Sequence, residues 1–580
     1  MLQFRRAVSR GAPACAFLAA MGATPAMAQT ASQLTPPSFQ PQIQRDGTAL
    51  KLAGPAAAEP PANAEQFHVQ IGDVIVEGAP AEMAPAVARL RAGLSGRTVT
   101  AAEIFRAARA LETEAAANGR ILVRVLVPEQ RLENGETLRL SLVDGFIESI
   151  DTSALPRPIR NRIAHLLAPL TGRPGITYRE IERRLLLAGD TPGTALRSTL
   201  AAGEKPGGSR LVIEARYRPV GVSLSADNTL SAAFGNETYG LGVTFNSVLG
   251  LGELVYLRAN GQPFNGDYAE RRPLNRALAA GYVLPVGRDG LTLNVEFSAS
   301  SATPRVSRFE PPMGSAFSRF AARASYPLVR GQALSDSVTL GLDIARERLD
   351  YIGSARPVAL ALDRLRVLRL TNDLRMRSED GTTLTALVTL SVGLDALGAR
   401  GEADAVRSHV PLSRQGTRPD FRSLLATVDY SRPLAPHLAI GLRGMAQTSF
   451  GMPLPNAERI GLSGPNALSA MESGAMLGDS GLLARGEIQA PFFAPIARDR
   501  GSMLTAPYLF VAGGSVNNDR PTILERAWTS GLSWGGGVRL GAAPRASFAG
   551  TNLTLELGRS TRSDRARASN RFTASFNLQF

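Results

Sequence analysis

Gly531-Leu532-Ser533-Trp534-Gly535 has the spacing of a catalytic nucleophile. A G-x-S-x-G serine needs a sharp strand-to-helix turn, a histidine base and an acid. Here no histidine follows the serine, and the surroundings are glycine-rich and β-like, so the pentad predicts a strand with a tight bend. The acid pairs Glu112/Glu114 and Glu379-Asp380 predict solvated surface, and the second precedes Gly381 as a turn would. Thr100/Glu103 and Thr177/Glu180 have the spacing of helix capping boxes, in which side chain and backbone satisfy each other at a helix start. The four histidines (His68, His165, His409, His437) are too dispersed for a zinc site, and the single cysteine, Cys15, sits at the extreme N-terminus. Nothing reads as a phosphate-binding G-x-x-x-x-G-K-[ST] loop. The residue types predict no enzyme: no catalytic set, no metal ligands and no cofactor.

The two ends of the chain carry a different message. Residues 571–580 alternate strictly, so Phe572, Ala574, Phe576, Leu578 and Phe580 would share one face of a strand ending on an aromatic residue. That face suits the lipid side of an outer-membrane barrel, where a partner strand closes the edge. At the other end, Arg5, Arg6 and Arg10 precede the apolar stretch Ala14–Met21, and Ala26-Met27-Ala28 precedes Gln29. This is the pattern of a secretory signal peptide over residues 1–28. Beyond it no apolar run is long enough to span a bilayer as a helix. The formal net charge of +14 comes from scattered arginines with no clustered basic motif, which argues against nucleic acid and for a wet lumen or lipid headgroups.

Between the ends the chain divides by texture. Residues 29–65, rich in Pro, Ala and Gln, predict a flexible segment, with a weak helix signal near Gln44–Ala53. Residues 66–145 read as β-α-α-β-β, and residues 146–217 as a weaker second copy, the two capping boxes lying 77 residues apart. From Arg218 to Phe580 the helical period gives way to alternating segments such as Leu291–Ser298 and Leu553–Leu557, separated by turn residues. At roughly 20 to 24 residues per strand and connection, residues 218–580 predict a transmembrane antiparallel β-barrel of about 16 strands.

Two small α+β modules followed by a barrel resemble the POTRA-barrel superfamily, and most nearly the outer-membrane transporters of two-partner secretion, the TpsB or haemolysin-secretion-protein-like family. The likeness is carried by Val127–Gln130, Asn134-Gly135 and Val143–Ile147 in the first module. In the barrel it is carried by Phe245–Glu253, Gly281–Gly287 and Tyr326–Arg330. The resemblance implies a loop folded back into the lumen, carrying a Val-Arg-Gly-Tyr-type tetrad, and an acid in a Phe-x-Asp-x-Gly strand that faces it. The loop frame here is Gly464, Pro465, Asn466 and Ala467, leading into Leu468, Ser469, Ala470 and Met471. Ser469 stands where the arginine is expected and Ala470 where the glycine is expected. The strand reads Phe510, Val511, Ala512, Gly513, Gly514, with Ala512 in place of the acid. Both charges are absent together, as they should be if they face each other, since removing one alone strands a confined charge at about 3–5 kcal/mol. The loop is therefore expected to be held by another contact or to dock more loosely.

The resemblance further implies periplasmic modules that capture an unfolded exoprotein of the haemolysin, haemagglutinin or adhesin kind, and a barrel that passes it across the outer membrane of a Gram-negative bacterium. Implied partners are that cargo, outer-membrane lipid and the barrel assembly machinery. A POTRA-barrel assembly factor and a passive porin are the alternatives. Family members often carry an N-terminal plug helix, for which residues 29–65 offer only the weak signal noted above.

Overall fold

A computed structural model describes residues 29–41, 49–51, 63–263, 267–306, 311–496, 501–523, 525–544, 548–565 and 567–580; the expected signal peptide lies outside the described residues. The first module runs β2 (His68–Glu77), α1 (Ala84–Leu94), β3 (Thr98–Thr100), α2 (Ala101–Ala117), β4 (Arg124–Leu126) and β5 (Glu136–Val143), with sheet order β3-β2-β5-β4. The capping box at Thr100/Glu103 forms, and Ile104, Ala108, Leu111 and Ala115 pack on the sheet through one helical face.

The second module repeats the plan with β6 (Phe146–Asp151), α3 (Arg157–Leu167), α4 (Tyr178–Gly189), β7 (Thr194–Ala202) and β8 (Gly208–Tyr217). Its Thr177/Glu180 capping box also forms. An additional strand, β1 (Ala49–Lys51), pairs in parallel with β7, so the sheet order is β1-β7-β8-β6. The weak helix signal near Gln44–Ala53 is corrected here, because the described part of that stretch is strand. The two modules touch where the Tyr178 amide at the start of α4 donates to the Gly119 carbonyl just after α2.

The barrel is built from β9 (Val220–Asp227), β10 (Thr238–Asn246), β11 (Leu254–Gly261), β12 (Asn275–Val286), β13 (Leu291–Ala302), β14 (Met313–Arg330), β15 (Leu334–Tyr351) and β16 (Val358–Arg377) in its first half. The second half is β17 (Thr383–Gly393), β18 (Arg422–Ala435), β19 (Leu438–Thr448), β22 (Ser480–Gln489) continued by β23 (Phe492–Ile496), β24 (Gly501–Asn517), β25 (Trp528–Pro544), β26 (Gly550–Arg562) and β27 (Ser569–Gln579). A small hairpin, β20 (Ile460–Gly461) and β21 (Leu477–Gly478), belongs to the long loop between β19 and β22. Because β22 and β23 pair in succession along β24, they form one strand, and the closed antiparallel barrel has 16. Closure is made by β27 on β9 over five residues, extended by reciprocal main-chain hydrogen bonds between Val222 and Phe580.

Strand β13 explains what surrounds the barrel. Its outward Leu293, Val295 and Phe297 are exposed, while its inward Asn294, Glu296 and Ser298 are buried. In water this inside-out pattern would forgo about 1.5–3 kcal/mol for each large apolar side chain; against lipid the same side chains are favourably placed. The terminal strand follows the rule. Phe572 stands opposite Leu557, Phe576 opposite Leu553, and Leu578 opposite both Thr551 and Leu224, so they share the outward face. Among the described residues no helix is long and apolar enough to cross a membrane.

Short connections such as residues 287–290 and 331–333 mark the mouth next to the second module, here the near mouth. Arg162, Arg183 and Arg184 donate to the carbonyls of Gly287, Asp289, Pro327 and Arg288 there. Arg330 pairs with both oxygens of Asp190 at 2.7 and 2.9 Å. Long loops, including residues 394–421 and 449–479, cluster at the far mouth.

Candidate functional site

Two elements that are not part of the wall fill the lumen. One is the loop of residues 449–479. It descends from the far mouth and turns at Gly464, whose φ of +115° suits glycine alone, followed by Pro465 and by Asn466 in the left-handed region. The tip, Pro465-Asn466, is exposed and points to the near-mouth half of the lumen, where Asn466 lines a cavity of about 330 Å³. Behind the tip, Leu468 and Met471 pack with Leu462, Met476 and Ala512.

Ser469 and Ala512 are both buried, and the loop is anchored to the wall. The charge is supplied from the wall. Arg485 on β22 is the Cα partner of Ala512, and its side chain is only 2% exposed. Its guanidinium donates to Ser469 Oγ at 2.6 Å and to the Ala467 carbonyl at 3.0 Å. It also pairs with Glu556 at 2.9 Å and Glu487 at 2.8 Å, and lies 3.9 Å over the Phe510 ring. Glu487 is held in turn by both arms of Arg539, which stacks on Tyr508, and the Tyr508 hydroxyl donates to Glu556. An arginine–acid contact is therefore present at this loop, with the arginine on the wall at Arg485 and the acid at Glu556.

Ala470 is clamped through its backbone. Its amide donates to Ser533 Oγ at 3.1 Å and its carbonyl accepts from Ser560 Oγ at 3.1 Å. Ser533, the serine of the G-x-S-x-G pentad, is thus a buried strand residue that pins the loop. Phe510 faces the same contact, and a side chain on Gly514 would meet Leu462 and Leu483. Arg485, Tyr508, Ser533, Glu556 and Ser560 were not singled out as loop partners from sequence. Their signal is charge or hydroxyl at the inward positions of alternating strands, as in Leu555-Glu556-Leu557.

At the far mouth Asp479 is fully buried at the base of the loop. It accepts from Arg414 of the 394–421 loop, from the Leu454 amide at 3.0 Å, and from the Asp519 amide at 2.8 Å. Three loops thereby meet on one carboxylate.

The second element is the N-terminal segment. Residues 29–41, expected to be flexible, instead lie against β13–β15 inside the lumen, because that wall offers buried charges to their backbone. Ala31 and Leu34 pack into the apolar far-mouth cluster around Phe234, Phe317, Phe421 and Leu454. Gln40 reaches the near mouth beside Arg162, Leu187 and Asp190 of the second module. The described part of this plug contains turns and extended chain, with no helix. Among the described residues no cluster of His, Cys, Asp and Glu could hold a metal.

Comparison with known proteins agrees with this architecture. The family model for haemolysin secretion/activation proteins ShlB/FhaC/HecB matches residues 207–540, and that for the ShlB-type POTRA domain matches residues 69–145. No curated protein matches the chain. Among solved structures, CdiB from Escherichia coli is similar at 17% identity and a TM-score of 0.65, covering 91% of this chain and 94% of that one. CdiB from Acinetobacter baumannii is similar at 16% identity and a TM-score of 0.56, covering 91% of each chain. At such identities these likenesses carry the fold. The family match spans more than half of the chain, and the barrel and module fit it: the chain belongs to the ShlB/FhaC/HecB family of outer-membrane transporters of two-partner secretion.

Proposed function

We propose that the near mouth faces the periplasm, that the second module captures an unfolded exoprotein there, and that the barrel passes it outward in extended form. The observation that carries this reading is the edge of the second module. Strand β7 is nine residues long and lies next to the sheet edge, where the short parallel strand β1 covers three of its residues. Strand addition of this kind draws its affinity from main-chain hydrogen bonds and demands little of the added sequence, which suits a large unfolded cargo. The corresponding edge of the first module, β4, offers only three residues.

The lumen contents support the same reading. The loop and the N-terminal segment are joined to the wall by side-chain contacts rather than by strand pairing, so both can move without opening the barrel. Insertion into the membrane would fall to the barrel assembly machinery, with Phe572, Phe576, Leu578 and Phe580 as the terminal signal. The drive would come from the cargo folding outside, since the sequence offers no nucleotide-binding loop.

Deleting the gene and comparing secreted proteins tests the proposal. One large exoprotein should vanish from the medium and return on complementation. An unchanged set of secreted proteins would refute it, and general loss of outer-membrane proteins would point to an assembly role instead.

A further inference from the structure

The outer surface of the barrel carries a basic patch on β15 and β16. Strand β15 leaves the near mouth after the 331–333 turn and reaches the far mouth at Tyr351, so its later residues lie toward the far mouth. Asp343 and Glu347 on β15, and Asp363 and Val367 on β16, are buried and inward. Side chains alternate, so Ile344, Arg346 and Arg348 and their partners Arg366, Arg364 and Leu362 point outward. Toward the barrel's middle the same face continues as Leu342 opposite Leu368 and Leu340 opposite Leu370. Four arginines therefore share two adjacent strands at the far-mouth border of an apolar band. Arg346 and Arg364 are direct cross-strand partners, and both are exposed. Like charges directly opposite each other destabilise a sheet, so this pair works against the fold unless an outside anion offsets it. Among the described residues only Arg348 of the four has an acid in ion-pair range, Asp350 at 2.7 Å.

We propose that this patch binds a phosphorylated glycolipid of the outer leaflet, of the lipid A class, with the arginines holding its phosphates. The proposal rests on the orientation given above, near mouth toward the periplasm, and adds a lipid site to it. Guanidinium forks pair bidentately with phosphate, and several of them side by side suit a headgroup with two phosphates. Beside the arginines the neighbouring strands offer small outward side chains. Ser318 stands opposite Arg346, Ala316 opposite Arg348, and Ala299 opposite Ser318. They leave a flat bay for sugar rings next to the charges. Toward the middle of the barrel, Phe320 stands opposite Ile344 and Phe297 opposite Phe320, both exposed, as a ledge for acyl chains. Charge, bay and ledge thus follow one another in the order of phosphate, sugar and hydrocarbon. Arg559 on β26 has a different setting: it faces outward between Trp534 and Asn570, with no arginine opposite.

Native mass spectrometry of the purified protein in detergent, titrated with bisphosphorylated lipid A, tests the site. The unmodified protein should show a saturable lipid adduct. Arg346→Gln with Arg364→Gln should weaken binding by about tenfold or more, while Arg559→Gln stays within about twofold of the unmodified protein. Inorganic phosphate in large excess should not displace the lipid; displacement would reassign the patch to a free anion and overturn the glycolipid. Binding by the double variant within about twofold of the unmodified protein, or an equal loss in Arg559→Gln, would overturn the patch as a site.

A second arm needs no variant at the patch. The temperature at which the folded band disappears should rise with bisphosphorylated lipid A and stay unchanged with its dephosphorylated form. An equal rise with both would overturn recognition through phosphate. Without lipid the double variant should melt at the same temperature or higher, having lost a like-charge pair, and a lower midpoint would show that the two arginines serve the fold instead. Orientation is read separately. The chain's only cysteine is Cys15, so Ser354→Cys, in the loop between β15 and β16, adds a thiol that a membrane-impermeant maleimide should label on intact cells. Absence of labelling would overturn the outer-leaflet source. A set of secreted proteins unchanged by gene deletion would remove the transporter reading and leave the lipid site standing.

Discussion

Arg485→Ala should loosen the inward loop more than any change within the loop itself. The substitution leaves Glu556 in a buried site without its arginine, leaves Glu487 to Arg539 and Gln489, and removes the donors to Ser469 and Ala467. Breaking one partner of a buried charge pair costs about 3–5 kcal/mol. At roughly 2 °C or less per kcal/mol for a barrel of this size, the thermal midpoint should fall on the order of 5–10 °C. The converse perturbation, Ser469→Arg, brings a second guanidinium against Arg485. Two like charges about 4 Å apart repel by about 4 kcal/mol at an effective dielectric of 20, so barrel stability or secretion should fall. Combining Ser469→Arg with Ala512→Asp should be better tolerated, because position 512 is the cross-strand partner of Arg485. Combining Ser469→Arg with Arg485→Ser returns the single arginine to the loop and should also recover much of the loss, with a coupling of about 1–3 kcal/mol. The assay is the temperature at which the folded band disappears in a heat-modifiability gel, alongside single-channel conductance. Strictly additive effects in both pairs, or an unchanged midpoint for Arg485→Ala, would refute the hub.

Three further outcomes are expected. Asp190→Asn weakens the two-pronged contact with Arg330, worth about 1–3 kcal/mol, so amide exchange in Tyr178–Gly189 should rise while that of β13–β15 stays slow; unchanged exchange in that helix would contradict the docking. Deleting Phe580 removes both terminal main-chain bonds from a five-residue seam and should lower the fraction of assembled, heat-modifiable barrel, whereas normal assembly would show the seam to be self-sufficient. Asp479→Asn weakens the meeting point of three far-mouth loops and should raise open-channel conductance and sensitivity to large antibiotics; a closed, quiet channel would argue that these loops do not gate the mouth.

How much of this was legible beforehand differs by element. The capping boxes at Thr100 and Thr177 are local, each spanning four residues, and form as their spacing requires. Strand β13 was visible in Leu291–Ser298 because a lipid-facing strand must alternate. Strand β7, the edge on which the capture proposal rests, gave little signal: Thr194–Ala202 is mostly Ala, Ser and Thr, and one of its inward positions is Ser198 rather than an apolar residue. The N-terminal segment misled for a related reason. A Pro- and Ala-rich stretch cannot bury a core of its own, and no local pattern shows that a charged wall some 270 residues away will hold its backbone.

The sequence by itself determined the period of each segment, and with it two α+β modules, a lipid-facing cylinder and the absence of charge at positions 469 and 512, because period and composition are local properties. Only the tertiary structure decided where the missing charge had gone. Arg485, Ser533 and Glu556 lie on three separate strands, and the side-by-side pairing of β22, β24, β25 and β26 brings their inward side chains to one loop. A contact between residues distant in sequence is fixed by strand register and shear, which no single segment encodes.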